Sequence, residues 1–227
     1  MKEHGKRYTE SLTAVEAGKR YPIDQAVATL KKFKPAKFDE TVNLSLHLGI
    51  NPKQADQMVR GTVSLPKGLG KEVRVIVFGP TDKVEEARRA GAIEAGGDEL
   101  IKKVNDGWLD FDVAIATPDM MGKVGRLGRV LGPQGKMPSP KSGTVTVDVE
   151  AAVTAFRAGK VEYRTDETGN LHVPVGKRSF EPSALVENVK AILEHIQAAR
   201  PASVKGQFIV KAVLSATMSP GVQLATE

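Results

Sequence analysis

The sequence predicts an α+β split domain, a half-exposed antiparallel sheet with helices, that is interrupted by an inserted α/β, Rossmann-like domain with a parallel sheet. Three observations predict it. Strands near both ends of the chain alternate apolar and polar residues, as sheets with one wet face do. Strands in the middle are continuously apolar and separated by helical periodicity, as in parallel sheets covered on both faces. Pro66, Gly68 and Gly70 mark the first change of style, and Gly159 marks the second. The expected bounds are 1–67 with 159–227 for the discontinuous domain and 68–158 for the insert. Two crossing strands, near 66–70 and 158–160, are expected to act as a hinge.

In chain order, Ile23, Ala26, Val27, Leu30 and Phe33 fall on one helical face, and Pro35 stops the run. Val42, Leu44, Leu46, Leu48 and Ile50 alternate with polar residues, which predicts a strand. Val73 to Phe78 is a nearly continuous apolar strand. Thr81 is placed to cap the helix that follows, and Gly91 to close it. Asp98 to Val104 reads as a short helix and Val113 to Ala116 as a short strand. KVEYRT and NLHVPV flank DETG, which reads as a hairpin. An amphipathic helix follows Pro182, with Leu185, Val189, Ile192, Leu193 and Ile196 on one face and Arg200-Pro201 at its end. GQFIVKAVLSATM is the last strand.

Composition bounds the function. The 227 residues leave room for one large or two small domains, and 41% apolar residues suffice for a packed core. The absence of Cys removes disulfides, thiolate metal sites and Cys nucleophiles together. No apolar run approaches the ~18 residues of a membrane span. MKEHGKRYTE lacks the apolar core of a signal peptide. A cytoplasmic protein with no membrane partner is expected.

The net charge of +6 permits a nucleic-acid partner. Residues 1–67 carry +5, 159–227 carry +1 and 68–158 carry zero. The split domain is therefore the better candidate for phosphate contacts. The neutral insert is expected to be polarised. Residues 120–142 hold Lys123, Arg126, Arg129, Lys136 and Lys141, five Gly, three Pro and no acid. Such a segment either faces a polyanion or stays solvated. The balancing acids are Glu85-Glu86, Asp98-Glu99 and those of 106–112.

Enzyme signatures fail. Neither Gly70-Lys71 nor Gly135-Lys136 has the flanking residues of a phosphate loop. Gly122, Gly125 and Gly128 lack the pairing of a dinucleotide fingerprint. Glycines at that spacing more often let a helix pack closely or lie against a backbone. His4, His47, His172 and His195 show no metal-ligand spacing. No nucleophile–base pairing is visible, so neither enzyme activity, cofactor nor metal is expected.

KFDETV, residues 37–42, stands out. It places a base, an aromatic, two acids and a hydroxyl at the entry to a half-exposed strand. Phe38 is either core or a flat platform for ribose or a base. Thr41 and Asn43 share the polar face. Acids in such a place accept from a base amine or 2′-hydroxyl, or order a neighbouring cation, which favours shape-specific recognition.

VGRLGRVLGPQGKMPSPKSGTV closely resembles the middle-domain signature of the bacterial ribosomal protein L-one family. KFDETV, DQMVRGTVSLPKGLGK, FDVAIATPDMM, VEYRTDETGNLHVPVGK and ATMSPGV are similar to that family too, in order, from Lys6 to Val222. The resemblance implies the split two-domain fold and a place in the mobile stalk of the large ribosomal subunit. It implies binding to a folded stalk element of 23S ribosomal RNA and help in releasing deacylated tRNA from the exit site. It also implies repression of translation through the protein's own operon mRNA, and a monomer outside the ribosome. By position, the implied RNA surface falls on Lys37, Phe38, Glu40 and Thr41, on Arg164, Asp166 and Thr168, and on Thr217, Met218 and Ser219. Lys123, Arg126, Arg129, Lys136 and Lys141 are the candidates for a secondary RNA or tRNA contact, with a solvated loop as the alternative. Three positions depart from the family pattern. Ser219 replaces a usual Gly, Thr165-Asp166-Glu167 replaces Asn-Asp-Lys, and Lys136 replaces an apolar residue. Loss of the hairpin Lys is expected to remove about one phosphate contact's worth of salt dependence.

Overall fold

The computed structural model describes residues 5–16, 18–54 and 56–225, so His4 and the start of MKEHGKRYTE lie outside the described residues. Along the chain come α1 (Lys6–Thr13), α2 (Ile23–Lys32), β1 (Thr41–Leu48) and β2 (Arg60–Ser64). Next are β3 (Val75–Phe78), α3 (Thr81–Arg89), β4 (Glu94–Gly96), α4 (Asp98–Asn105) and β5 (Val113–Ala116). Two four-residue helices, α5 (Met121–Val124) and α6 (Gly128–Leu131), precede α7 (Val149–Ala158). The chain ends with β6 (Lys160–Arg164), β7 (Asn170–Lys177), α8 (Pro182–Ala198), β8 (Ile209–Ala216) and β9 (Val222–Leu224). The chain divides into two compact units, residues 1–71 with 161–227, and residues 72–160.

The first unit is built on an antiparallel sheet of order β7-β1-β8-β9. Alternation decides its faces. Val42, Leu44, Leu46 and Leu48 are at most 1% exposed, whereas Thr41, Asn43, Ser45 and His47 line the other face. Ala26, Val27 and Leu30 of α2 and Leu185, Val189, Ile192 and Ile196 of α8 join the buried side in one core. Pro174 lies in β7, an edge strand, where a missing N–H is tolerated. Asn188 of α8 is fully buried and pins the loop at 67–68. Its Oδ1 accepts from Lys67 N at 3.1 Å, and its Nδ2 donates to Gly68 O at 3.1 Å and Val175 O at 2.8 Å.

The second unit is a parallel sheet of order β4-β3-β5. Ile76 and Phe78 face α4 and the α5–α6 stretch, where Val124, Leu127 and Leu131 are buried. Val75 and Val77 face α3 and α7 with Ala87, Val153 and Phe156. Burial on both sides is the reason these strands carry no alternation.

Four features differ from the sequence reading. KVEYRT and NLHVPV do not form a ladder with each other. β6 pairs with β2, and a single Thr165–Leu171 bridge precedes the turn into β7. Thr81 opens α3 but forms no side-chain cap bond. A Cβ at Gly122, Gly125 or Gly128 would meet nothing within 4 Å, so these glycines serve no close packing within the unit. Asp98, expected on a separate acidic edge, pairs with Lys123 at 2.8 Å. Helices α1, α5, α6 and α7 and strands β2, β4 and β9 are elements the sequence reading does not include.

Candidate nucleic-acid interface

The loop 37–41 and the turn 217–219 meet at one end of the sheet because β1 starts where β8 ends, Val42 opposite Ala216. Thr217 locks the junction. Its hydroxyl accepts from Thr41 N at 3.1 Å and lies 3.3 Å from Thr41 O, to which it donates. Lys177, opposite Thr41 on β7, donates to Thr41 Oγ1 at 3.0 Å. Asp39 accepts from Ser179 N at 3.1 Å and Ser179 Oγ at 2.8 Å.

Beneath these surface groups lies an ion pair. Glu40 is 1% exposed, and its Oε2 accepts from Arg178 Nη1 at 2.6 Å. Its Oε1 accepts from Met218 N at 3.2 Å and lies 4.0 Å from Arg7 Nη1. Arg178 also donates to the carbonyls of Lys31 and Phe33 at the end of α2. Lys31 donates to the carbonyls of Arg178 and Phe180, and burial lowers the pKa of its ammonium. One buried carboxylate thus ties α1, the loop after α2, the end of β7 and the turn after β8. Glu40, grouped with surface contacts in the sequence reading, is corrected to an internal organiser. With its carboxylate out of solvent and already bonded, it has no open face for a partner.

Above that anchor the surface is open. Phe38 and Met218 are each 54% exposed, and Lys37 is exposed without a side-chain hydrogen bond or ion pair among the described residues. Phe38 is therefore exposed at the surface and not core. Ser219 is spent on its own turn, accepting from Ala216 N at 2.9 Å.

Arg164, Asp166 and Thr168 are not part of this cluster. Asp166 leads into the turn before β7, whose Asn170 pairs with His47 at the far end of β1. Six residues of strand separate the two groups, about 20 Å. The Asp166 carboxylate accepts from Asn170 N at 2.7 Å and from Thr168 N and Oγ1 at 2.8 Å each. These bonds, with that of the Asn170 amide the largest cause, hold its pKa down to about 2. Arg164 is exposed and carries no ion pair among the described residues. The polar face of β1 runs between the two groups.

In the second unit, Arg126, Arg129 and Lys141 are exposed and unpaired among the described residues. Lys123 is paired with Asp98. Lys136 points inward, donating to Leu109 O at 3.0 Å over the ring of Phe111. That contact takes Lys136 out of the expected basic surface.

A sequence model of the Ribosomal protein L1p/L10e family matches residues 30–220. The chain belongs to this family. It is 55% identical over 224 residues to a large ribosomal subunit protein uL1 of Kosmotoga olearia, covering 99% of this chain and 97% of that protein. It is 56% identical over 225 residues to the protein of the same name from Fervidobacterium nodosum, covering 99% and 96%. The corresponding protein of Persephonella marina is 55% identical over 228 residues, covering 99% and 94%. As a member of the ribosomal protein L1p/L10e family, the chain is a ribosomal protein and not an enzyme. Among its described residues no helix is long and apolar enough to cross a membrane, and no three His, Asp or Glu side chains cluster as metal ligands would.

Sequence reasoning missed three residues of the candidate site in this ribosomal protein L1p/L10e family member: Arg7, Lys177 and Arg178, which pair with Glu40 and Thr41. Each becomes legible only through pairing, because their partners lie 33 to 211 positions away or across the sheet.

Proposed function

We propose that this chain is a constituent of the large ribosomal subunit that binds a folded stalk element of 23S ribosomal RNA through the polar sheet face of its first unit. The observation that carries this reading is the exposed Lys37–Phe38–Met218 surface held over a buried ion pair. A rigid floor under an aromatic platform and a flexible thioether suits recognition of one RNA shape. The turn carrying Arg164, Asp166 and Thr168 extends the same face by about 20 Å. An mRNA that folds into the same shape would occupy the same site, which is the basis for repression of the protein's own operon.

In this reading the second unit presents Arg126, Arg129 and Lys141 to deacylated tRNA leaving the exit site. The chain passes between units at 71–72 and at 160–161. These two crossings serve as the hinge. Dyes placed one on each unit should give a broad distance distribution in single molecules, and one narrow peak would refute the hinge.

The deciding experiment compares binding to a stalk RNA fragment and to a charge-matched unrelated hairpin at several salt concentrations. The stalk fragment should win by a few orders of magnitude. Phe38→Ala should cut that margin about tenfold or more, the worth of one stacked base, with little change in melting temperature. Equal binding of both RNAs, governed by salt alone, would reduce the interaction to generic charge attraction.

A further inference from the structure

Beside the 164–168 turn, the polar sheet face carries side chains outside both implied RNA-contact groups. A shallow groove there is lined by Ser45, His47, Asn170, His172 and Lys211, with no acidic residue. β1 lies between β7 and β8, so His47 has Asn170 on one side and Lys211 on the other. Lys211 is exposed and makes no ion pair among the described residues.

The hydrogen bonds around His47 fix the tautomer of its neutral ring. Asn170 Nδ2 donates to Asp166 Oδ2 at 3.3 Å and to Thr168 Oγ1 at 2.6 Å. Two acceptors on one side set the amide orientation, which turns Asn170 Oδ1 toward His47 Nδ1 at 2.8 Å. Oδ1 only accepts, so Nδ1 carries the proton. A neutral imidazole then presents Nε2 as a bare acceptor. Nε2 has no hydrogen-bond partner among the described residues. A phosphate oxygen, which also only accepts, gains nothing from such a nitrogen. A hydroxyl donates to it.

We propose that this groove holds one ribose–phosphate unit of the RNA strand. His47 Nε2 accepts from the ribose 2′-hydroxyl, and the Lys211 ammonium meets the adjoining phosphate. The inference rests on the RNA-binding reading above and deepens it, since the 2′-hydroxyl is the group that separates RNA from DNA. Asp166 acts here as a positioning residue, setting the His47 tautomer through Asn170.

The test uses the full chain and stalk RNA transcripts carrying 2′-deoxy substitutions at random positions, selected for binding. Wild type should show interference at one position or more that disappears with His47→Phe. That variant should bind the all-ribose fragment about 5–10-fold more weakly, the worth of one hydrogen bond. Lys211→Met should flatten the log–log salt slope by about 0.7–0.9, one phosphate contact. Both side chains are exposed, so equal melting temperatures should accompany these losses. An unchanged interference pattern and affinity in His47→Phe overturns the inference while leaving RNA binding intact. Failure of wild type to prefer the stalk fragment overturns the underlying reading as well, so the two failures are distinct.

Discussion

Glu40 shows how far a residue's role departs from its local sequence. In KFDETV it reads as one acid beside another at a strand entry, yet Asp39 is exposed and Glu40 is 1% exposed. The difference is the partner supplied by Arg178, 138 positions later. Removing one member of a buried pair leaves the other charge uncompensated. Glu40→Ala should therefore lose about 3–5 kcal/mol in urea denaturation; a loss under about 1 kcal/mol would mean that the pair is not an anchor. Asp166 makes the opposite case, an exposed acid with many bonds. Its folded pKa of about 2 lies below the ordinary 3.8. Its ionised form therefore stabilises the fold above about pH 4, and that contribution fades as the pH falls through about 2. The difference in melting temperature between wild type and Asp166→Asn should shrink over that window. A constant difference would show that the carboxylate's charge is not what the turn uses.

At the scale of elements, two glycines have opposite meanings. Gly159 ends α7 with φ of +114°, where a side chain is strained. Gly159→Ala should destabilise by about 1 kcal/mol. Gly125 has φ of −53° and open space where a Cβ would stand. Gly125→Ala should hold or raise stability, by up to about 1 kcal/mol, because only unfolded-state freedom is lost. Thermal melts of the two variants check both signs together, and a destabilised Gly125→Ala would contradict the open surface described here. Alternation made β1 legible, and continuous apolar runs made β3 and β5 legible. β2 and β4 were not, since RGTVS and EAG are too short and too polar to show a period. The KVEYRT–NLHVPV pair misled for a related reason. Turn residues between two strands do not say whether the strands pair with each other or with distant partners.

At the scale of the molecule, each unit has its own core, one in the first and one on each face of the sheet in the second. Cooperative unfolding follows such cores. Ile115 is fully buried in the second unit. Ile115→Ala should cost about 2–5 kcal/mol and lower hydrogen-exchange protection across 72–160. Protection in 1–71 and 161–227 should hold, and equal loss in both units would mean that they unfold as one.

The sequence by itself determined the fold class, the two-part organisation of the strands and the family to which the chain belongs. Those rest on periodicity and on ordered motifs, which are properties of neighbours along the chain. Tertiary structure alone decided that Glu40 is buried on Arg178, that Lys136 turns inward and that Arg7, Lys177 and Arg178 join the cluster around Glu40 and Thr41. It also decided that the 37–41 and 164–168 groups occupy opposite ends of one polar face. Each of these depends on strand register and burial, which bring distant residues into contact and which no local pattern encodes.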